Sequence, residues 1–307
     1  MADAERTTRR TSTGAGRYYT DTDGNRYWSV TTIISGGIPK PALMPWAQKI
    51  VGEYAVEQLA PALNGSYITM RDALEGIGEG NLGAVADLLE AAMGKMAPDR
   101  EDVLGHLVSG KKTRMEKARK YISAAPLRLR DQAASLGQHV HRAIEAYILE
   151  QPMPDFDEDV KPFMHQFDRF LKDWTPEFEV AEATVFNKTK QYAGTLDFTA
   201  KFPALKGGEG LYVCDMKSGR AVYPEVGLQL AAYRGAEFLE TKAGSFAMPE
   251  TVGGMTLHLR PNEYRVLHIE CGAEQLRVFE YAREIYRFVQ ETSKLVIGEP
   301  LQVEAQA

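Results

Sequence analysis

The spacing of apolar residues changes along the chain, and each change predicts a different kind of element. Over residues 131–150 the apolar positions recur with a period near 3.6, which is typical of an amphipathic helix. A second helix is expected over 158–174. Over 178–186 the period becomes two, which predicts a strand, and residues 192–202 are expected to form its return partner. The pattern therefore predicts two helices followed by a β-hairpin.

The C-terminal residues continue to alternate between strand and helix patterns. The predicted elements are a strand at 211–217, a helix at 224–241, a hairpin of 255–259 and 264–269, and a helix at 273–293. Together with the preceding elements, they predict an α/β fold in which a mixed sheet is flanked by helices.

The N-terminal part of the chain has a different character. Aromatic and β-branched residues over 17–34 surround a turn at 23–25, which predicts a hairpin. From about 42 to 123 the chain is rich in Ala, Leu, Met and Glu, which favours helices. The expected organisation is a disordered arm at 1–16, a hairpin and helical lobe at 17–125, a core at 126–297 and a tail at 298–307.

The amino-acid composition distinguishes between soluble, membrane and secreted classes of protein. The chain is 44% hydrophobic and 25% charged, which is ordinary for a soluble globular protein. No apolar run approaches the roughly 18 residues of a membrane helix, and the N-terminus lacks the apolar segment of a secretory signal. Cys214 and Cys271 are the two cysteines, too few for a disulfide framework or a four-cysteine iron–sulfur cluster. We therefore expect a cytoplasmic protein without a cluster.

Positive charge is concentrated in one stretch, although the net charge is −6. Such a run is most often a solvated helix face, and the alternative is a surface that contacts the phosphates of a nucleic acid. Its position just before the candidate site favours phosphate contact, above all for Lys111, Lys112, Arg114, Arg128 and Arg130. The basic residues of the stretch are Lys111, Lys112, Arg114, Lys117, Arg119, Lys120, Arg128 and Arg130, against one acidic residue, Glu116.

A carboxylate and an ammonium lie close together at the end of the strand 211–217. Asp215 and Lys217 are two residues apart, so they point to the same face of the strand. In a metal-assisted hydrolase the carboxylate holds the cation, while the lysine orients or deprotonates the attacking water or steadies the phosphate. When the two residues are taken alone, a solvent-facing salt pair on an edge strand is the better explanation.

The preceding hairpin adds two carboxylates. Asp197 follows Gly194 in the predicted strand, and Asp is depleted from strand interiors. A metal ligand or a hydrogen bond near a turn accounts for it. Glu182 falls on the apolar face of the strand 178–186, where a carboxylate is costly unless it is paired or metal-bound. A bulge that exposes Glu182 is the alternative.

Two helices contribute further candidates. Gly137 and His141 share a face of the helix 131–150, and a glycine there permits a close approach. His141 is therefore a candidate metal ligand, and His139, on another face, is a weaker one. Gln229 and Tyr233 share a face of the helix 224–241 and are candidates for contact with phosphates or bases. Ordinary core and surface positions are the alternatives.

In order, these residues read Gly-x-x-x-His, Glu, Gly-x-x-Asp, Asp-x-Lys and Gln-x-x-x-Tyr. With this order and spacing, residues 131–240 resemble the RecB-type exonucleases of the PD-(D/E)XK superfamily, including phage-encoded members related to CRISPR-associated exonucleases. The segment 27–32 and Trp46 also resemble the start of such phage proteins. The chain departs from the pattern in two ways. Leu196, not proline, precedes Asp197, and the four cluster-binding cysteines of many relatives are missing.

The resemblance implies a restriction-endonuclease-like fold and hydrolysis of DNA that leaves a 5′-phosphate. Lys217 would be the catalytic lysine, acting with Asp215, Asp197 and Glu182, and Gln229 and Tyr233 the DNA-contacting motif. The implied cofactor is Mg²⁺ or Mn²⁺. Its ligands would be His141, Glu182, Asp197, Asp215 and the backbone carbonyl of Met216.

The function expected from these features is that of a DNA exonuclease in phage recombination, replication or repair. Its partners would be DNA ends or single strands and an annealing or recombinase protein, in the cytoplasm of a bacterial host and away from membranes. Three alternatives remain open. They are a DNA-end-binding module with little or no catalysis, a structure-specific endonuclease and a hydrolase of small phosphodiesters.

Overall fold

The computed structural model describes residues 9–13, 16–21, 23–40, 45–51, 53, 123–241 and 243–300. Most of the helical lobe expected over 42–123, together with Lys111, Lys112 and Arg114, lies outside these residues. The chain divides into two compact units. One contains residues 1–39 and 135–307, and the other contains residues 40–134.

Within the described part of the chain, seven strands form the first sheet. They are β1 Arg9–Thr13, β2 Gly16–Thr20, β3 Arg26–Ser29, β5 Thr184–Asn187, β6 Tyr192–Thr195, β9 Phe238–Thr241 and β10 Gly244–Ala247. Their order is β1-β2-β3-β6-β5-β9-β10. Neighbours are antiparallel except for β3 and β6, which are parallel. The N-terminal hairpin, which the sequence groups with the helical lobe, therefore pairs with the strands of the core.

Five strands of the described ranges form the second sheet. They are β4 Glu177–Ala181, β7 Phe198–Lys201, β8 Tyr212–Lys217, β11 Gly253–Leu259 and β12 Tyr264–Ile269. Their order is β12-β11-β8-β7-β4, and the central pair β8 and β11 is parallel. The strands thus divide between two mixed sheets, whereas the sequence predicted one.

Helices flank both sheets, which confirms the expected α/β class. They are α1 Val30–Gly37, α2 Ala125–Ile148, α3 Lys161–Trp174 after a 3-10 turn at Glu158–Val160, α4 Glu225–Arg234, and α5 Ala273–Arg287 followed by a π turn at Phe288–Thr292 and a 3-10 turn at Ser293–Leu295. The helices expected at 131–150 and 158–174 are confirmed.

Among the described residues, the two larger of three apolar clusters pack between the helices and the sheets. Val140 and Ile144 of α2 and Phe167 of α3 pack with Cys214 and Met216 on one face of the second sheet. Helices α1, α4 and α5 pack around a second cluster, which also contains Val213 of β8. Strand β8 is therefore covered on both faces, and its polar residues Asp215 and Lys217 lie on the α4 side.

The end of the predicted N-terminal hairpin is wrong, because residues 30–37 form helix α1. The β-branched run of this segment favoured a strand. However, the Ser29 hydroxyl caps the helix by accepting a hydrogen bond from the N–H of Thr32. Val30, Ile33, Ile34 and Gly37 are buried at helical spacing. Capping and burial together outweigh the local strand preference.

The helix predicted over 224–241 is too long. Helix α4 ends at Arg234, where the N–H of Gly235 caps it by donating to the carbonyl of Ala231. The next residues form β9, which pairs with both β5 and β10. This short edge hairpin carries little periodic signal of its own, so its partner strands decide its conformation.

Candidate active site

The site lies where one long hairpin bends between the two sheets. Glu182 separates β4 from β5 and has a φ of 48°, in the left-handed region. Its N–H donates to the carbonyl of Asp197 at 2.8 Å, and the N–H of Leu196 donates to the carbonyl of Ala183 at 3.0 Å. Both arms of the hairpin therefore bend at one level, with Glu182 and Asp197 facing each other.

This bend corrects the sequence prediction of a continuous strand over 178–186. The period-two pattern placed Glu182 among apolar side chains of a regular strand. Instead, the pairing of β4 with β7 shifts register between Phe178 and Val180, and the ladder then breaks at Glu182. Glu182 is half-buried. Its carboxylate therefore lies at a junction between sheets rather than in a strand interior.

Three of the expected metal ligands meet at the bend. His141, Glu182 and Asp197 each offer a ligand atom, and these atoms all lie within 4.8 Å of one another. Nδ1 of His141 is 3.8 Å from Oδ1 of Asp197. Metal–ligand bonds are about 2.0–2.2 Å for Mg²⁺ and similar cations. Small side-chain rotations therefore suffice for these three atoms to bind one cation.

Gly137 brings α2 close to the strand that carries the lysine. A Cβ built on Gly137 would lie 3.2 Å from the hydroxyl of Ser218, the residue after Lys217. Helix α2 can thus approach the end of β8 closely, and His141 extends from its next turn toward Asp197. The close approach expected at Gly137 is therefore made by Ser218 of the same chain. His139, the weaker candidate, is not a member of the group of three.

Asp215 lies beside this group and is 1% exposed. Its Oδ1 accepts hydrogen bonds from Nζ of Lys217 at 2.5 Å and from Nε2 of Gln229 at 3.0 Å. Burial raises the pKa of Asp215 to about 6, and the neighbouring Lys217 ammonium opposes that rise. The Asp215 carboxylate is therefore paired with the Lys217 ammonium in the interior of the protein.

The backbone of Met216 is joined to the same site. Its N–H donates a hydrogen bond to Oδ2 of Asp197 at 2.6 Å. In a regular sheet, a backbone carbonyl of the neighbouring strand would accept this hydrogen bond. Because the N–H and C=O of one strand residue point to the same side, the Met216 carbonyl also faces Asp197. This arrangement is compatible with the expected role of that carbonyl as a ligand.

Gln229 and Tyr233 lie on the face of α4 that covers Asp215. Nε2 of Gln229 donates to the Tyr233 hydroxyl at 3.3 Å as well as to Asp215. Tyr233 is only 3% exposed, and burial raises the pKa of its hydroxyl well above the usual value. Its ring packs so closely on Gly194 that a Cβ there would lie 2.5 Å from a ring carbon. Little of the Tyr233 ring remains for stacking on a base.

Sequence reasoning missed the residues that hold the turn after Lys217. Nε2 of His258 is 2.8 Å from the carbonyl oxygen of Gly219, and Nη1 of Arg260 donates to the carbonyls of Ser218 and Gly219 at 3.1 and 3.0 Å. These residues come from β11 and its end, about 40 positions along the chain. Polar residues at alternate positions of β11 are the one signal that pointed to them.

Two of the five basic candidates for DNA contact are described. Arg128 and Arg130 belong to the first turns of α2, and the guanidinium of Arg130 donates to the carboxylate of Asp131 at 2.7 and 2.9 Å. Among the residues with described coordinates, no helix has the length and apolar character needed to cross a membrane.

Comparison with protein-family models gives no match, and comparison with curated proteins gives none. Among solved structures, the chain is similar to one described as "Crystal structure of SSO0001", with 15% sequence identity and a TM-score of 0.25. The similarity covers 42% of this chain and 58% of that protein.

Proposed function

We propose that the protein is a divalent-metal-dependent DNA nuclease, more specifically an exonuclease. One observation carries the proposal. The carboxylates of Glu182 and Asp197, the His141 imidazole and the Asp215–Lys217 pair are gathered at one bend from four separate segments of the chain. Buried or half-buried carboxylates grouped in this way are costly unless a cation joins them.

The oxygen and nitrogen atoms of these side chains suit a hard cation that also accepts a nitrogen ligand. Carboxylate oxygens favour Mg²⁺ and Mn²⁺, and one imidazole shifts the preference toward Mn²⁺. The residues that would hold the cation are His141, Glu182, Asp197, Asp215 and the Met216 carbonyl. When bound, such a cation polarises a phosphate and lowers the pKa of a bound water.

Lys217 provides a positively charged side chain at the border between the site and solvent. Its side chain is 34% exposed, whereas its partner Asp215 is almost fully buried, so the ammonium borders on solvent. From this position Lys217 would orient the attacking water or the scissile phosphate. Gln229 and Tyr233 would keep Asp215 in place through their shared hydrogen bonds.

The wider setting is proposed from the sequence. The basic residues between Lys111 and Arg130 would contact the DNA backbone. The resemblance to phage exonucleases favours a role in recombination, replication or repair in a bacterial cytoplasm, with an annealing or recombinase protein as partner. An exonuclease requires free ends, which separates it from the endonuclease alternative.

The proposal is tested with end-labelled linear DNA, both single- and double-stranded, incubated with Mg²⁺, Mn²⁺ or EDTA. A covalently closed circle is the matched substrate. We expect linear DNA to shorten progressively from one end, circles to persist and EDTA to stop the reaction. Cleavage of circles would replace the exonuclease by an endonuclease. Binding of ends without cleavage under any metal would overturn the nuclease proposal in favour of a DNA-end-binding module.

A further inference from the structure

The face of the second sheet that carries Asp215 continues onto the neighbouring strand. Strands β8 and β11 are parallel and in register, with Asp215 opposite Thr256 and Lys217 opposite His258. Met255 and Leu257 point into the apolar cluster on the other face. Because side chains alternate, Thr256 and His258 lie on the same face as Asp215 and Lys217.

Three buried oxygen atoms on this face, Oγ1 of Thr199, Oδ2 of Asp215 and Oγ1 of Thr256, lack a hydrogen-bond partner among the described residues, and the last two belong to residues directly opposite each other on β8 and β11. Asp215 is 1% exposed and Thr256 is fully buried. Buried polar atoms are nearly always paired, because an unpaired one keeps the full cost of its desolvation. An acceptor and a potential donor on adjacent positions are therefore each other's natural partners.

The spacing of strands makes such a pairing feasible. Neighbouring strands lie about 4.8 Å apart, so the Cβ atoms of in-register residues are separated by roughly that distance. Rotation about the Cα–Cβ bond of Thr256 exchanges its hydroxyl and methyl positions. A single buried water between the two oxygens would serve equally well, because buried waters typically bridge polar groups of this kind.

The two oxygens of Asp215 then have different tasks. Oδ1 is on the side of Lys217 and Gln229, where the site opens to solvent. Oδ2 is buried and has no hydrogen bond to either of those partners. A donor on Oδ2 would fix the plane of the carboxylate, and with it the direction in which Oδ1 faces the open side of the site. Metal-binding carboxylates are commonly oriented by such an outer hydrogen bond.

We propose that Thr256 is a positioning residue of the metal site, and that its hydroxyl donates to Oδ2 of Asp215, directly or through one buried water. The inference deepens the proposed function, since it concerns the same metal site and rests on Asp215 being a ligand. It assigns to Thr256 an effect on metal affinity and no contact with the substrate.

Thr256→Val tests this assignment, because it replaces the hydroxyl by a methyl group of nearly the same size. Thr256→Ser keeps the hydroxyl and removes the methyl group instead. Thr199→Val is the matched control, because Thr199 is equally buried, also lacks a hydroxyl partner among the described residues and lies on the same face. Thr199 stands opposite Val213 rather than Asp215.

Binding of Mn²⁺ is measured by titration calorimetry without DNA, and folding is checked by circular dichroism. We expect Thr256→Val to weaken Mn²⁺ binding about tenfold, while Thr256→Ser and Thr199→Val bind within about twofold of the wild type. If Thr256→Val does not fold, Thr256→Ala replaces it with the same expectation.

Wild-type affinity in the hydroxyl-free variant would overturn the inference, and so would an equal loss in Thr199→Val. DNA cleavage is assayed on the same preparations. A wild-type protein that binds Mn²⁺ but cleaves no DNA would contradict the proposed function and leave the role of Thr256 intact.

Discussion

At the residue scale, the site depends on side chains that have little freedom to move. Asp215 is enclosed between Lys217, Gln229 and the strand that carries Thr256. Tyr233 is wedged against the backbone of Gly194. The proposed activity would be lost through small displacements of such a site, because reacting groups must be positioned within about half an ångström. Substitutions outside the metal ligands are therefore informative.

Gly194→Ala is expected to damage the site without changing a charged residue. Its methyl group would lie 2.5 Å from a carbon of the Tyr233 ring, so that the ring must shift. Gln229, which donates to the Tyr233 hydroxyl, would shift with it. We expect a loss of about 1–3 kcal/mol in the free energy of unfolding and a clear fall in DNA cleavage.

Urea unfolding and a cleavage assay check this prediction. Gly298→Ala is the control, because a Cβ at Gly298 would meet no atom within 4 Å. Unchanged stability and activity in Gly194→Ala would show that the close contact between Tyr233 and Gly194 has no role in holding the site.

At the scale of elements, the bend at Glu182 combines backbone strain with a proposed metal ligand. A residue other than glycine in the left-handed region costs roughly 1 kcal/mol, and such strain is often found at functional sites. Glu182→Gly would relieve the strain and remove the carboxylate. We therefore expect this variant to be more stable than Glu182→Ala, which keeps the strained backbone, while its Mn²⁺ affinity falls at least tenfold.

Chemical denaturation and calorimetry measure the two effects separately. Glu182→Ala is the companion variant, since it removes the carboxylate but keeps the strained backbone, and it should be less stable than Glu182→Gly. Retention of full Mn²⁺ affinity in both variants would exclude Glu182 as a ligand.

The N-terminal hairpin provides a prediction on pH. Burial opposes ionisation of Asp21, but hydrogen bonds from Asn25 and Tyr27 and from the N–H of Asp23 lower its pKa below the usual value. A carboxylate with a lowered pKa contributes stability above its unfolded pKa near 3.8, and this contribution is lost as the pH falls through the folded pKa.

Asp21→Asn should therefore be less stable than the wild type by about 1–2 kcal/mol at pH 6–7. The difference should shrink below pH 4, where the wild-type carboxylate also becomes neutral. Unfolding curves between pH 3 and pH 7 measure it. A difference independent of pH would mean that the hydrogen bonds to Asp21 do not depend on its charge.

The sequence predicts elements well where periodicity and burial agree. The helix at 131–150 and the strands around Asp215 and Tyr264 are examples, because each has one face in an apolar cluster. It fails where tertiary pairing decides. Strand β9 forms by pairing with β5. The break at Glu182 occurs where the chain passes from the second sheet to the first. Neither event leaves a local pattern of its own.

At the scale of the whole molecule, metal and folding should be linked. A cation that binds the folded chain and not the unfolded one stabilises it by about 2.7 kcal/mol when its concentration is 100 times the Kd. We therefore expect Mn²⁺ to raise the melting temperature by several degrees. The increase should vanish with EDTA and in Asp197→Asn. Calorimetry of the full chain with and without Mn²⁺ measures it, and an equal increase in Asp197→Asn would place the cation elsewhere.

The candidate site was predictable as a set of residues but not as a geometry. Spacing alone suggested Asp215 with Lys217, and Gly137 with His141. The alignment of Glu182 with Asp197 depends on hydrogen bonds between two bent strands, and the role of β11 depends on parallel pairing across some 40 residues. Contacts between distant segments are set by packing of the whole chain, so a local pattern cannot reveal them.

The central claim is that Lys217 acts at a metal-dependent site for DNA cleavage. The most direct test compares cleavage of linear DNA in Mn²⁺ by Lys217→Ala and by Lys201→Ala, a lysine removed from an exposed ion pair with Glu179. We predict that Lys217→Ala loses at least a hundredfold in rate while Lys201→Ala keeps the wild-type rate, with both variants folded. Equal rates in the two variants would contradict the account.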